Sequence, residues 1–551
     1  MLLGYLNDLL REAVGAVDPS GTIQTLRWEI PKDHSFGDLS SPVAFRLASQ
    51  QRRAPVEVAT RLAQLLQPSR QASTVGRLIE RVEAKQGFVN LFLSQEALHQ
   101  VLRRIRRVGS AYGAGRAGRG KSILIEFVSA NPTGPLSVAH GRQAALGDAL
   151  ARVLSSQGYR VVREYYLNDE GRQIELLGQS LRSRYLEQCG KPEPFPEDGY
   201  HGDYVVASAA ALAGRHGHAL LKQPVEWFCQ QGMAEQLAEI KRDLKRFGLV
   251  FDRWSSQRWL RQSGRLDRAL EALKRLGLLY EQDGAVWFAS TRFGDDKDRV
   301  VRKQSGEWTY LAPDVAYHHW KFQRGYHQLI DLWGPDHHGY IPRIKAAVSA
   351  LGWPVDRLVV RIVQLVTLSR HGKAVAMSKR QGEFVTFREV LNEVGVDATR
   401  FFYLMRTMDS HLDFDLELAK AQSKDNPVYY VQYAHARIWS ILRYARTSLP
   451  WWKRCGRVPL ARLTEPEERL VLRQLAQFPM ITDACARALE PQGLTVYLQK
   501  LAELFHVFYT KHRVVTEDVG RSRARLALVD AARIVLANGL QLLGVSAPKR
   551  M

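Results

Sequence analysis

One property of residues 120–425 limits the fold more than any other: short apolar runs alternate with segments of helical periodicity. The runs are SILIEFV, YRVVREYYL, YHQLIDLWG and DRLVVRIVQLV. Such alternation is typical of a parallel sheet covered by helices on both faces. The sequence therefore predicts a doubly wound α/β core over residues 120–425, interrupted by a helical insertion at about residues 179–264.

The two ends of the chain have other patterns. Residues 1–112 combine helical segments with a turn-rich stretch and the strand-like GFVNLFLS, which predicts a small α+β domain. The glycine- and arginine-rich GAGRAGRGKS then links this domain to the core. Over residues 426–551 apolar residues recur at helical spacing, as in NPVYYVQYAHARIWSILRYAR, which predicts an all-α bundle.

The charge of the chain is strongly positive, with 78 Lys and Arg against 56 Asp and Glu and a net charge of +22. This balance favours a polyanionic partner, nucleic acid before membrane, although a merely solvated basic surface is the alternative. The four cysteines form no CxxC pair, which excludes a zinc ribbon and disfavours a disulfide framework. This cysteine usage fits a reducing, cytoplasmic location. Because there is no uninterrupted apolar run of 18 residues, we expect no membrane span.

The stretch SANPTGPLSVAHGR follows the first apolar run of the core and leads into a long helical segment. In open parallel sheets, ligands bind beyond the carboxyl ends of the strands, and helix N-termini there attract phosphate groups. His140 would lie in the first turn of that helix and could donate a hydrogen bond to a phosphate. A lone histidine near a helix start is also a common surface or capping residue, so this stretch alone is a weak signal.

A second candidate loop, GKAVAMSKRQGEFVTF, spans residues 372–387 between a strand and a helix. Its Lys379 is a mobile point charge of the kind that binds phosphates. A solvated basic loop is the more common explanation of such a segment taken alone.

Together, these two stretches resemble the signatures of the class I aminoacyl-tRNA synthetases, and the chain is similar to the arginyl-tRNA synthetase family. SVAH (residues 137–140) falls where the class carries HxGH, and AMSKR (376–380) falls where it carries KMSKS. The resemblance extends through REYYLNDEGRQI, STRFGDDKDRVV, TYLAPDVAYHHWKF and GPDHHGYIPRIKAAVSALG to NPVYYVQYAHARI and the C-terminal NGLQLLGVSAPKRM. Many ordered matches over the whole chain make the resemblance specific.

The resemblance implies a Rossmann-like catalytic domain, an N-terminal domain that binds the tRNA elbow and a C-terminal anticodon-binding bundle. The implied reaction is the activation of L-arginine by ATP, with Mg²⁺, followed by transfer to the 3′-terminal adenosine of tRNA(Arg). The family implies a monomer.

Site residues follow from the resemblance position by position. Tyr310 and Asp314 are one helical turn apart, so both can face one cavity, and the family uses such a pair for the guanidinium group. The implied catalytic residues are His140, Lys379 and Ser137. The implied arginine-binding residues are Asn131, Tyr310, Asp314, Asp336 and Ser129. The implied ATP-binding residues are Ala139, Gly141, His337, His338, Met377, Ser378 and Lys379. The implied tRNA-binding residues are Tyr430, Tyr433, Arg437, Tyr509 and Met551.

The chain departs from the family pattern at three positions. Ser137 replaces the first histidine of HxGH, Ala139 replaces its glycine, and Ala376 replaces the first lysine of KMSKS. The alternative to an active enzyme is therefore a non-catalytic relative that still binds tRNA. A small-metabolite nucleotidyltransferase would not need the basic helical domain of residues 426–551.

Overall fold

A computed structural model describes most of the chain. The described residues are 2–18, 21, 23, 26–31, 33–67, 76–375, 385–448 and 458–551. Met377, Ser378 and Lys379 lie outside these ranges.

The core is a five-stranded parallel sheet with the order β11-β10-β4-β5-β6. Four of its strands are the apolar runs named above, and the residues of β4 are buried because helices cover both faces. This confirms the predicted parallel α/β core. The strands are β4 (Ser122–Glu126), β5 (Arg160–Leu167), β6 (Arg253–Ser256), β10 (Gln328–Trp333) and β11 (Leu358–Ile362).

The edge strand β6 lies inside the range 179–264 that the sequence predicts as a helical insertion. Its four residues, RWSS, are too few and too polar to give a recognisable period. The helices between β5 and β6 pack around a small apolar core of their own. These helices are α6 (Arg172–Gln188), α7 (Asp203–His216) and α8 (Val225–Arg246).

Further helices and two small sheets complete the middle of the chain. The helices are α5 (Val138–Ser156), α9 (Gln257–Gln262), α10 (Arg265–Arg275), α11 (Leu311–Gln323), α12 (Ile341–Ala350), α13 (Phe387–Tyr403) and α14 (Leu416–Lys420). The strands are β7 (Leu279–Gln282), β8 (Ala285–Phe288), β9 (Arg299–Arg302), β12 (Val366–Arg370), β13 (Lys373–Ala374) and β14 (Leu412–Asp415).

The N-terminal part packs helices against a three-stranded antiparallel sheet of order β1-β3-β2. The predicted strand GFVNLFLS supplies its central strand. The elements are α1 (Leu2–Val17), α2 (Val43–Gln51), α3 (Pro55–Leu66), α4 (Gln95–Val108), β1 (Leu39–Ser41), β2 (Ile79–Lys85) and β3 (Phe88–Leu93).

The C-terminal part is a helical bundle, as the sequence predicts. Its last helix has a mean hydropathy of 1.5 over 18 residues, which is apolar enough to cross a membrane, but 72% of that window is buried inside the protein. It is therefore the core helix of the bundle. The helices are α15 (Pro427–Ser448), α16 (Pro466–Ala488), α17 (Gln492–Lys511) and α18 (Val519–Leu543).

One fully buried guanidinium joins this bundle to the core. Arg400, in α13, lies 2.9 Å from Asp148 in α5. It also donates to the carbonyl of Phe247 at the end of α8 (3.0 and 2.8 Å) and to that of Leu543 in α18 (3.3 Å). A buried charge is tolerated only when it is paired and hydrogen-bonded, and here three other segments together satisfy it.

Candidate active site

A cavity of about 950 Å³ opens beyond the carboxyl ends of β4 and β10. The sequence places its candidate residues on four separate segments, and the fold brings most of them to this one cavity. The candidate residues that line it are Ser129, Asn131, Ser137, Ala139, His140, Tyr310, Asp314, Asp336 and His337.

The chain enters the cavity through a strained turn directly after β4. Val128 has φ 69° and Ser129 has φ 36°, a conformation that is rare for a β-branched residue. The amide of Ser129 donates to the carbonyl of Phe127 (3.0 Å), which closes a three-residue γ-turn. The Ser129 hydroxyl donates to Glu126 (3.0 Å) and accepts from the amide of Tyr166 (3.1 Å). Ser129 therefore uses its side chain to hold the turn.

The turn presents Asn131 to the cavity. The buried Tyr165 hydroxyl donates to the carbonyl of Ala130 (2.7 Å) and so fixes the preceding residue. The Asn131 amide donates to Gln173 at 2.5 Å. A backbone held in this way orients a polar side chain before any ligand arrives.

Helix α5 begins at the cavity with Ser137 as its N-cap residue. The backbone N–H of Ser137 donates to Nδ1 of His140 at 3.1 Å, and the Ser137 hydroxyl lies 3.1 Å from the same nitrogen. Because Nδ1 accepts a hydrogen bond, the proton of the neutral ring lies on Nε2. The helix start thus combines a hydrogen-bond donor with the positive end of the helix dipole, which suits an anionic group.

The residues that follow the second signature contact the first signature at this helix start. Ser137 forms a β-bridge with Thr386, and the amide of Phe387 donates to the carbonyl of Leu136 at 2.8 Å. Thr386 and Phe387 are therefore fixed beside the helix start that carries His140.

Gly141 and His338 do not line the cavity, although the resemblance assigns them to ATP. Gly141 is buried, and a Cβ built on it would lie 2.4 Å from the ring of Phe387. The absence of a side chain thus permits close packing of α5 on α13. His338 is exposed on the short helical turn after β10.

A row of three carboxylates crosses the sheet beneath the cavity. Asp331 in β10 pairs in register with Glu126 in β4, which in turn pairs with Glu164 in β5. Neighbouring residues at one level of a parallel sheet point to the same face. Glu164 is neutralised by a bidentate hydrogen-bonded pair with Arg324 (2.6 and 3.0 Å).

Helix α11 supplies the counter-charges for the other two carboxylates. The ammonium group of Lys321 is fully buried, contacts Glu126 and donates to Asp331 at 2.8 Å. Burial alone would raise the pKa of Asp331, but Lys321 and His318 outweigh it and lower that pKa to about 2. His318 places one ring nitrogen 2.9 Å from Asp331 and the other 2.8 Å from the carbonyl oxygen of Asp314.

The carboxylate of Asp314 faces the cavity from the first turn of α11. Burial raises the pKa of Asp314 to about 6, although His318 and a hydrogen bond from the Tyr340 hydroxyl (2.9 Å) oppose the rise. Tyr310, the N-cap residue of the same helix, is 66% exposed at the mouth. Asp314 and Glu126 line one end of the cavity, the acidic end, and the buried Asp331 lies beneath it. These three carboxylates outnumber the single ammonium group, that of Lys321, which pairs with two of them.

The site residues predicted from the sequence do not include Glu126, Lys321, Asp331, His318 or Tyr340. A signal for two of them is present: Glu126 stands in ILIEFV and Asp331 in QLIDLW, each a lone carboxylate in an apolar run. A charge at a buried strand position requires a partner, so two such residues on neighbouring strands indicate a polar site.

A second cavity, of about 790 Å³, lies on the helical bundle. Four of the predicted tRNA-binding residues line it, namely Tyr433, Arg437, Tyr509 and Met551. Arg437 donates to the Tyr433 hydroxyl (3.0 Å) and lies 4.8 Å from the centroid of the Tyr509 ring. Tyr430 does not line this cavity and packs against His506 instead (centroids 4.7 Å apart).

Three family profiles match the chain. The profile described as "Arginyl tRNA synthetase N terminal domain" matches residues 4–93, and "DALR anticodon binding domain" matches residues 431–551. Residues 104–197 and 241–409 match "tRNA synthetases class I (R), catalytic domain". The parallel sheet, the cavity at its carboxyl edge and this match define a class I aminoacyl-tRNA synthetase.

Full-length relatives identify the family within that class. The arginine–tRNA ligase of Desulfosudis oleivorans is 47% identical over 99% of both chains, and that of Geobacillus thermodenitrificans is 44% identical over 100% of both. The chain belongs to the arginine–tRNA ligase family. The structure of Thermus thermophilus arginyl-tRNA synthetase has the same fold, with a TM-score of 0.79 at 23% identity over 100% of both chains. The alternative of a non-catalytic relative is not supported.

Proposed function

We propose that the two cavities divide the work of an arginine–tRNA ligase: the sheet-edge cavity activates L-arginine with ATP, and the bundle cavity binds unpaired bases of tRNA(Arg). The observation that carries this proposal is the acidic end of the first cavity, because the helix start of His140 lines the same cavity. A cationic substrate and an anionic one can therefore lie side by side.

In this proposal the guanidinium group of arginine binds at the acidic end. It carries one full positive charge and five donors, so it requires a carboxylate and further acceptors. Asp314 supplies the carboxylate, Tyr310 closes the mouth over it, and Asn131 binds nearer the α-amino end. Asp336 and Ser129 are also proposed to contribute to arginine binding. Ser129 does so through the turn that it holds.

The arginine carboxylate then attacks the α-phosphate of ATP. A carboxylate O–P bond forms, the bond between the α-phosphate and pyrophosphate breaks, and arginyl-adenylate results. No covalent bond to the protein forms in this step, so its residues act by position and charge. His140 donates from Nε2 towards the phosphate, Ser137 orients its ring, and Lys379 supplies a positive charge. Loss of one such donor costs about 3–4 kcal/mol in the barrier.

The remaining nucleotide contacts in the proposal come from Ala139 and His337, which line the cavity, and from Met377 and Ser378. Mg²⁺ would shield the β- and γ-phosphates. Among the described residues no group of three or more His, Cys, Asp or Glu side chains could cage a metal ion. In the proposal Mg²⁺ would therefore be bound mainly by phosphate oxygens and water, which is its usual mode with nucleotides.

In the second step a ribose hydroxyl of the terminal adenosine attacks the arginyl carbonyl, the ester forms and AMP leaves. The bundle cavity offers aromatic faces and guanidinium groups, which suit stacking of unpaired bases and pairing with phosphates. A net charge of +22 adds a sequence-independent attraction to RNA that salt weakens. The predicted domains, 1–112, 120–425 and 426–551, would act as a monomer in the cytoplasm.

The test is arginine-dependent ATP–pyrophosphate exchange, measured with and without tRNA(Arg), in the wild type and in Lys379→Ala. We expect exchange that depends on arginine and falls at least 100-fold in the variant. Citrulline, which replaces the guanidinium group by a neutral urea, serves as the matched substrate control and should not support exchange. Equal exchange with citrulline would contradict the acidic pocket, and no exchange at all with tRNA still bound would contradict the catalytic assignment.

A further inference from the structure

The last seven residues of the chain, 545–551, run from the end of α18 back along α15 to the bundle cavity. Met551, at the very end, is 52% exposed and lines that cavity together with Arg550. A chain terminus is ordered only where contacts hold it, because a free end gains conformational entropy by leaving the surface. The position of Met551 therefore depends on what holds residues 545–549.

The first contact is a carboxylate that the reaction does not use. Asp397 accepts from the backbone N–H of Ser546 at 2.9 Å and from its hydroxyl. It also accepts from the amide of Gln432 at 2.8 Å, and that same amide donates to the Ser546 carbonyl at 3.0 Å. Three donors thus converge on one carboxylate, and hydrogen bonds to a charged acceptor are the stronger ones.

Asp397 belongs to the catalytic part of the chain. It lies in α13, two residues after Gly395, whose φ of 80° interrupts the helix. This interruption separates the first turns of α13, which start beside Ser137, from the part that carries Asp397. The C-terminal segment is thus tied to the core and not only to its own bundle.

Two further contacts continue the path towards the cavity. His435 lies with Nδ1 2.8 Å from the carbonyl oxygen of Pro548, and Arg443 donates to the carbonyl of Lys549 at 3.4 Å. Burial lowers the pKa of His435, so the neutral ring with its proton on Nδ1 serves as the donor. Both residues lie on α15, the helix that also carries Tyr433.

We propose that Asp397 is a positioning residue for tRNA binding: by fixing Ser546 it holds the C-terminal segment so that Arg550 and Met551 form one wall of the bundle cavity. The inference rests on the proposed function of that cavity as a site for tRNA bases. It assigns a role in RNA affinity to a carboxylate that contacts no RNA.

Asp397→Asn changes one acceptor oxygen into a donor with almost no change of shape. The new NH₂ group would face donors from Ser546 or Gln432, so at least one of the three hydrogen bonds is lost. We expect the Kd for tRNA(Arg) to rise about 10-fold, while the Kd for ATP is unchanged. The matched control is Asp415→Asn, because Asp415 caps α14 through the amides of residues 417 and 418 and does not contact the C-terminal segment. The control should bind tRNA like the wild type.

The decisive experiment is a double-mutant cycle with a chain that lacks Arg550 and Met551. If Asp397 acts by positioning these residues, truncation alone weakens tRNA binding and Asp397→Asn adds nothing to it. If both changes weaken binding and their effects add, Asp397 acts elsewhere and the inference is wrong. If truncation leaves tRNA affinity unchanged, Arg550 and Met551 do not contribute to binding and the inference is wrong. The proposed function of the cavity is tested separately by Arg437→Ala, and it fails if this variant binds tRNA like the wild type. Ser546→Ala, which removes only one donor, should give a smaller loss in the same direction and covers the case that Asp397→Asn does not fold.

Discussion

Replacing Asp314 by Asn should weaken arginine binding and, at the same time, stabilise the unliganded protein. The pKa of Asp314 rises from 3.8 to about 6 because the group is buried. A rise of that size corresponds to about 3 kcal/mol, and water in the open cavity reduces the figure to about 1–3 kcal/mol. The carboxylate thus costs stability until a cation binds to it.

The direction in which pH changes the stability follows from proton linkage. Since the folded-state pKa lies above the unfolded value, the folded protein binds the extra proton between about pH 4 and pH 6. The contribution of Asp314 to stability is fully present below pH 4 and is lost as the pH rises through about 6. Asn has no such loss, so Asp314→Asn should be more stable than the wild type at pH 8 and the difference should shrink at pH 5.

The assay combines urea unfolding at pH 8 and pH 5 with the arginine KM in pyrophosphate exchange. Removing one partner of a buried charge pair typically costs about 3–5 kcal/mol, so the arginine KM should rise 100-fold or more. Asp336→Asn is the control, because this carboxylate is exposed at the same cavity and its loss should shift stability by no more than about 0.5 kcal/mol. An Asp314→Asn protein that is less stable than the wild type at pH 8, or that keeps its arginine KM, would refute the reasoning.

Three further outcomes are expected. In the wild type, arginine affinity should be constant above about pH 7 and fall towards tenfold per pH unit below pH 6, as Asp314 takes up a proton; a flat binding profile from pH 5 to 8 would exclude this group as the guanidinium ligand. His140→Ala should lower the rate of adenylate formation about 10²–10³-fold in single-turnover experiments without a comparable change in arginine affinity, and a loss confined to affinity would contradict its role on the phosphate. Arg400→Met should lower the free energy of unfolding by about 2–4 kcal/mol, since it removes three hydrogen bonds to carbonyls and one of the three guanidinium partners of buried Asp148. An unchanged urea midpoint would show that the contact stabilises nothing.

Much of the fold could be predicted from the sequence, because its strongest signals are long-range regularities. The four apolar runs of the core are strands of one sheet, and the helical periodicity after residue 426 marks the bundle. Strand β6 could not be predicted in this way, because its four residues, RWSS, show no period and are extended only through pairing with β5. Tertiary context overrides local pattern at edges of this kind.

The candidate site was accessible through motifs, but its geometry was not. Motifs indicate His140, Asn131 and Asp314, whereas the left-handed backbone at Val128 is imposed by contacts of neighbouring strands. The role of Gly141 could not be predicted either, because a missing Cβ has meaning only once the ring of Phe387 is placed against it. Short motifs indicate which residues take part in the chemistry, but the positions of these side chains depend on contacts between residues that are far apart in the sequence.

The buried guanidinium of Arg400 limits how this chain can be recombined with its relatives. A Cβ at position 544 would lie 2.3 Å from Nη1 of Arg400, so a C-terminal bundle grafted from another member of the family needs glycine there. The graft must also place the backbone carbonyl of residue 543 within hydrogen-bond distance of Arg400, because otherwise a buried donor loses its acceptor. Exchanging residues 426–551 as a module would therefore disturb the interior of the catalytic part unless the graft meets both conditions.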